Sequence, residues 1–188
     1  MSNLDENIFI KDAVYLNNSG IIVSSSNKKD TIHKSIIWDL LLPPKDNNVG
    51  SVKIGGNIIL PFSTNASFAV CNDTKGSISF IDIRKLNGGG DIYDSSDCLI
   101  KTFSAHNSEI KAARLSEREN YLITFGTDLY VKIWDVTDKS NPILIEEIMP
   151  FTTSKYTEKK AKLQLRIVNG FLFASNDNQI KLLRNNIY

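Results

Sequence analysis

Four times along the chain, a short run of apolar, β-prone residues is followed by a polar turn and a second such run. The pairs are Gly20-Ile21-Ile22-Val23-Ser24-Ser25 with Ile36-Ile37-Trp38-Asp39-Leu40, and Phe68-Ala69-Val70-Cys71-Asn72 with Ile78-Ser79-Phe80-Ile81-Asp82-Ile83. They continue as Tyr121-Leu122-Ile123-Thr124-Phe125-Gly126 with Val131-Lys132-Ile133-Trp134-Asp135-Val136, and Phe171-Leu172-Phe173-Ala174-Ser175 with Ile180-Lys181-Leu182-Leu183. The turns are rich in Asn, Asp, Gly, Lys and Ser, which tolerate positive φ or cap a turn with their own side chains, so each pair predicts a β-hairpin. No helical period fits these windows.

An acidic residue near the end of the second run recurs at Asp39, Asp82 and Asp135, at intervals of 43 and 53 residues. A period of ~40–45 residues with four strands per unit is the mark of a propeller blade. Blade strands are covered by neighbours on both faces, which accounts for nearly continuous apolar runs. A further strand precedes each pair, at Ile8–Leu16, 52–60, Ile110–Leu115 and 163–168, and outer strands are expected at 98–103 and Ile143–Ile148. The expected fold is all-β, a propeller of about four blades over residues 8–50, 51–103, 104–148 and 149–188. It is a partial propeller or a piece of a seven-bladed one, since seven blades need roughly 300 residues. An open arc leaves an apolar face uncovered at each end, near residues 8–16 and 180–188, so the 188 residues alone are expected to self-associate unless further blades join them.

Composition narrows the function. With 41% hydrophobic and 23% charged residues, the chain is neither a disordered tail nor collagen-like. No apolar run approaches the ~18 residues of a membrane span. Basic and acidic residues number 22 and 21, so nothing general attracts nucleic acid or an anionic membrane. Cys71 and Cys98 form no CxxC pair, so neither a disulfide framework nor a zinc site is expected, and no cofactor is implied. The acidic start Met1-Ser2-Asn3-Leu4-Asp5-Glu6-Asn7 is unlike a signal or transit peptide; it reads as a cytoplasmic start or the start of a fragment. Asn87-Gly88-Gly89-Gly90-Asp91 lacks the GxGxxG spacing and a following helix, so it predicts an inter-blade loop. The stretch 152–162, ending in Glu158-Lys159-Lys160-Ala161-Lys162, predicts a solvated loop.

One repeat carries residues that imitate a catalytic set: His106, Thr124, Asp128 and Trp134. Histidine, hydroxyl and carboxylate are the parts of a hydrolase. Thr124, however, lies inside an apolar strand run, and no Gly-x-Ser-x-Gly elbow accompanies it. A structural role explains all four residues together: indole N–H, hydroxyl, imidazole and carboxylate satisfy one another in a buried chain that fixes the blade.

These residues carry a family resemblance. His106, about 28 residues before Trp134-Asp135, resembles the histidine and WD signatures of a WD40 repeat, and His106, Thr124, Asp128 and Trp134 match that family's structural tetrad. Trp38, Asp39, Asp82 and Asp135 stand at WD-type positions. The stretches Ile36-Ile37-Trp38-Asp39-Leu40-Leu41-Leu42-Pro43-Pro44, Lys75-Gly76-Ser77-Ile78-Ser79-Phe80-Ile81-Asp82-Ile83-Arg84 and Lys101-Thr102-Phe103-Ser104-Ala105-His106 are similar to the C-terminal WD repeats of the rabconnectin (DMX-like) family. That resemblance implies a scaffold in assembly of the vacuolar-type proton-pumping ATPase, with its subunits or assembly factors as partners. It also implies a cytoplasmic location at the surface of endosomes, vacuoles or vesicles. The second and fourth repeats lack the tetrad histidine and tryptophan and are expected to rely on packing alone. The leading class is thus a non-catalytic interaction scaffold. A generic WD40 adaptor, for ubiquitin ligation, chromatin or trafficking, is the alternative, and a hydrolase a more distant one. Asn107, Ser108 and Thr127 are candidate rim contacts for a protein partner.

Overall fold

Strands form where β-branched and aromatic residues can pack on a pleated surface, and the Asn, Asp and Gly positions between them bend the chain. The computed structural model describes residues 8–16, 20–27, 33–39, 41–43, 45, 48–52, 57–59, 68–85, 97–151, 162–177 and 179–184. The expected loops at 87–91 and 152–161 lie outside the described residues. The strands are β1 (Ile8–Leu16), β2 (Gly20–Asn27), β3 (His33–Asp39), β4 (Asn48–Val52), β5 (Asn57–Ile59), β6 (Phe68–Asn72), β7 (Ser77–Asp82) and β8 (Leu99–Ser104). They continue as β9 (Ile110–Leu115), β10 (Tyr121–Gly126), β11 (Val131–Asp135), β12 (Ile143–Ile148), β13 (Gln164–Val168), β14 (Phe171–Ser175) and β15 (Ile180–Arg184). Consecutive strands pair antiparallel into four meander sheets, β1–β4, β5–β8, β9–β12 and β13–β15.

The chain divides into two compact units. The first comprises Met1–Leu60, Thr64–Asp73 and Ile78–Thr102; the second comprises Pro61–Ser63, Thr74–Ser77 and Phe103–Tyr188. In the first unit β5 lies against β1 and β2. Every residue of β6 is buried, and Phe68 meets Phe80 of β7 edge-on with centroids 6.0 Å apart. Ser79 and Thr102 join hydroxyls at 2.8 Å, so this sheet has a part-buried polar tie despite lacking the tetrad histidine. Of the strand expected over 52–60, Val52 is the last residue of β4 and Asn57–Ile59 form β5; residues 53–56 and 60 lie outside the described residues.

In the second unit one face of the β9–β12 sheet packs on the β13–β15 sheet. Ile123, Phe125, Val131 and Ile133 meet Phe151, Leu163, Leu165, Leu172 and Ala174 in one buried cluster. Phe125 stacks on Phe151 with centroids 6.2 Å apart, and Lys181 lies 5.6 Å over the Phe151 ring. The opposite face of β10 and β11 carries Thr124 and Trp134, and Phe103 packs edge-on against the indole at 4.9 Å. The period-2 geometry of a strand therefore places core residues on one face and hydrogen-bonding residues on the other.

Candidate functional site

The site grows from the tight turn joining β10 to β11. Gly126 accepts the Leu129 N–H at 3.1 Å, and Leu129 takes a positive φ of 69°, which folds Asp128 back over the end of β10. Asp128 is fixed twice more: its N–H donates to Ser108 Oγ at 2.8 Å, and its Oδ1 accepts the Tyr130 N–H at 3.2 Å. From the other side comes the segment entering β9. The N–H groups of Ala105 and His106 both donate to the Gly76 carbonyl at 3.0 Å. Gly76 has φ +96°, and a Cβ there would collide with the carbonyl oxygens of His106 and Ser108. Only glycine suits that position.

Between these supports His106 bridges the two elements. Its Nδ1 lies 3.0 and 2.9 Å from the Asp128 carboxylate oxygens, and its Nε2 lies 2.8 Å from Thr124 Oγ1. Trp134 Nε1–H donates to the same hydroxyl at 3.2 Å. One proton arrangement satisfies every member: Trp134 donates to Thr124, the Thr124 hydroxyl donates to Nε2, and Nδ1–H donates to Asp128. The His106 side chain is 0% exposed. Burial pushes the Asp128 carboxyl up, but its hydrogen bond with His106, the Tyr130 N–H and the Lys132 charge outweigh it and hold the group below the usual carboxylate range.

That shift has a testable sign. Because the folded value lies below the unfolded one, the carboxylate's contribution is complete above the unfolded value and fades as acid protonates Asp128 in the folded protein. Melting temperatures of wild type and Asp128→Asn, followed from neutral pH into acid, are expected to converge below about pH 4. A gap that stays constant over the whole range would show that ionisation of Asp128 is irrelevant.

The structure thus brings together the four residues selected from the sequence, His106, Thr124, Asp128 and Trp134. At the WD-type positions, Asp82 Oδ1 accepts the Arg84 N–H and Nε–H at 3.0 and 2.9 Å, while Oδ2 accepts Nη2–H at 2.8 Å. The Arg84 guanidinium holds the Asp82 carboxyl below its ordinary value. Asp135 Oδ1 accepts the Thr137 N–H at 2.9 Å, which lowers its pKa as well. Both aspartates therefore cap the exit from a second hairpin strand. Trp38 is half-buried on β3, beside Asp39. Of the rim candidates, Asn107 is exposed, Ser108 is half-buried and holds Asp128, and Thr127 donates its N–H to the Glu109 carbonyl at 2.9 Å.

Gly126 is a site residue that the sequence pattern did not single out. A Cβ on it would meet Asp128 Oδ1 and His106 Nδ1, each at 2.5 Å. It is the floor on which the imidazole and carboxylate rest. A glycine closing an apolar strand just before an Asp-containing turn was its one visible signal.

No protein-family model matches the sequence, and no curated protein is significantly similar to it. Solved structures do resemble the fold. A chain of the mitotic checkpoint complex superimposes with a TM-score of 0.67 at 16% identity, covering 95% of this chain and 50% of the other. Raptor from Chaetomium thermophilum gives a TM-score of 0.62 at 12% identity, covering 90% of this chain and 15% of the other. Both contain WD40 propellers. The chain spans about half the length of the first and a smaller part of the second. The chain is all-β, and its fold is that of a partial β-propeller.

Proposed function

We propose that this chain is a non-catalytic scaffold for protein–protein interaction. We propose further that it serves assembly of the vacuolar-type proton-pumping ATPase from the cytoplasmic surface of acidic organelles. The observation that carries the scaffold reading is the use of the His106 set. Both ring nitrogens, the Thr124 hydroxyl and the Asp128 carboxylate are engaged with one another, and the imidazole is closed to solvent. A general base needs a reachable proton on a substrate, which this histidine lacks. His106, Thr124, Asp128 and Trp134 act as the structural tetrad of one blade, and each sheet is one blade. Loops around such a rigid frame, including Asn107 and Thr127, are left to meet other proteins.

The acidification role rests on the likeness of the Trp38–Pro44 stretch and its companions to the rabconnectin family, and on the propeller fold that those proteins share. Affinity purification of the full-length parent protein from its own cells, with quantitative mass spectrometry, tests it. Proton-pump subunits or their assembly factors are expected to be enriched, and deletion is expected to raise the pH of acidic organelles. Normal acidification in a deletion strain without a paralogue would remove this role and leave the generic adaptor.

A further inference from the structure

The first and third sheets share one register. Trp38 pairs with Ile21 and Asn48 as Trp134 pairs with Leu122 and Leu144, and Ile37 pairs with Ile22 and Gly50 as Ile133 pairs with Ile123 and Glu146, with a bulge at the same step. The connections from β3 to β4 and from β11 to β12 are therefore of equal length and correspond residue by residue. Leu41, Leu42, Pro43, Pro44 and Lys45 stand where the third sheet has Thr137, Asp138, Lys139, Ser140 and Asn141.

The loop of the third sheet shows what the fold asks of these positions. Asp135 Oδ1 accepts the Thr137 N–H at 2.9 Å, and Asp138 Oδ1 accepts both the N–H and the hydroxyl of Ser140, at 2.9 and 2.6 Å. Thr137, Asp138 and Ser140 are exposed, so polar side chains that cap the backbone suffice there. In the first sheet the cap and its donor are replaced together: Leu42, in place of Asp138, offers no side-chain acceptor, and Pro44, in place of Ser140, has no N–H to give. Two prolines restrict the backbone instead, and each biases the residue before it towards an extended conformation. The leucines lie largely outside any core: Leu41 is 75% exposed and Leu42 40%, with Pro43 and Lys45 exposed beside them. Scattered exposed leucines are ordinary. An adjacent pair on a proline-stiffened loop, where the sister loop carries polar caps, is a ligand whose ordering cost is already met.

We propose that Leu41-Leu42-Pro43-Pro44 is a docking loop whose leucine side chains and proline rings seat in an aromatic-walled groove of a partner protein. Proline-bearing segments are recognised in this way, because their rings pack on aromatic faces and their restricted backbone loses little entropy on binding. A lipid surface is the poorer occupant: Asp39 and Asp46 flank the loop against the one cation of Lys45, and anionic headgroups repel such flanks. The proposal rests on the scaffold reading, which it deepens by naming the kind of partner, and is independent of the acidification role.

Photo-crosslinking in the full-length protein, in its own cells, tests it. Benzoylphenylalanine in place of Lys45 is expected to crosslink to one partner protein, on peptides whose aromatic residues line a groove, and the same probe at the equivalent Asn141 is expected not to. The double variant Leu41→Thr with Leu42→Asp, which writes in the third sheet's residues, is expected to reduce the crosslink at least tenfold while leaving the melting temperature in place. Alanine at the partner's groove aromatics should do the same. Pro43→Ala with Pro44→Ala should weaken it severalfold, because the loop then has to be ordered on binding. Crosslinks to lipid, to this chain itself or to a surface without aromatic residues, no crosslink at all, an equal crosslink from position 141, a crosslink indifferent to the double variant, or a melting temperature that falls with it would each overturn the proposal. Affinity-purified partners that survive the double variant would leave the scaffold reading standing without this loop.

Discussion

Replacing Trp134 with alanine is expected to destabilise the second unit by about 3–5 kcal/mol, the range for emptying a large buried aromatic site. The indole is 7% exposed, it meets Phe103 edge-on, and its N–H is the donor that completes the Thr124 hydroxyl. Alanine would remove the ring contact and leave a cavity beside a buried hydroxyl. Equilibrium denaturant titration measures the loss, and a value under about 1 kcal/mol would mean that the indole does not hold β11 to its surroundings. Trp134→Phe separates the parts: it keeps most of the packing and loses only the hydrogen bond, worth about 1 kcal/mol.

The second large effect is expected at Gly126, where the smallest possible addition is enough. Gly126→Ala puts a methyl group 2.5 Å from both the Asp128 carboxylate and the His106 ring, well inside contact distance. Both side chains have to retreat, and their retreat breaks the bonds to each other and to Thr124. Overpacking costs about 1–3 kcal/mol and a buried unsatisfied polar group about as much again, so a loss near 3 kcal/mol is expected. The diagnostic is a double mutant. In His106→Ala one of the two obstructions is gone and the Asp128 carboxylate, no longer held by the ring, can turn aside, so adding Gly126→Ala there should cost less than in wild type. Equal costs in both backgrounds would place the strain elsewhere.

Much of this was legible in the residues, and the parts that were not share a physical reason. Strands β1, β9 and β12 have the limits that the apolar runs suggest. The hairpins β6–β7, β10–β11 and β14–β15 fall where paired runs predict them. Strand β4 escaped notice: its sequence, Asn48-Val49-Gly50-Ser51-Val52, is poor in strand formers, and it pairs through its backbone with β3. Propensity is silent where a neighbouring strand supplies the hydrogen bonds. The tetrad could be found because its four side chains are chemically distinctive. Its supports, Gly76 and Gly126, could not, because what they contribute is an absence of atoms, and that matters only once His106 is seen to lie over them. The Asp82 position shows the same limit from another side. The aspartate was recognisable, but its fork with Arg84 depends on the short 3-10 turn at Ile83–Lys85 that brings the guanidinium back.

Strand β12 forms an edge of its sheet, and Ile143, Leu144 and Ile145 stand exposed in a row upon it. An edge of that composition is a template on which an unfolding neighbour can zip up. Within the same strand these three are followed by Glu146 and Glu147, held by Arg184 at 3.0 Å and Lys132 at 3.1 Å. Pro142 stands immediately before it. Charge and proline beside an unavoidable apolar strand act as gatekeepers against intermolecular stacking. Salt would screen the charge that keeps such edges apart, so rising ionic strength should push the protein towards fibrous aggregates seeded at residues 143–145.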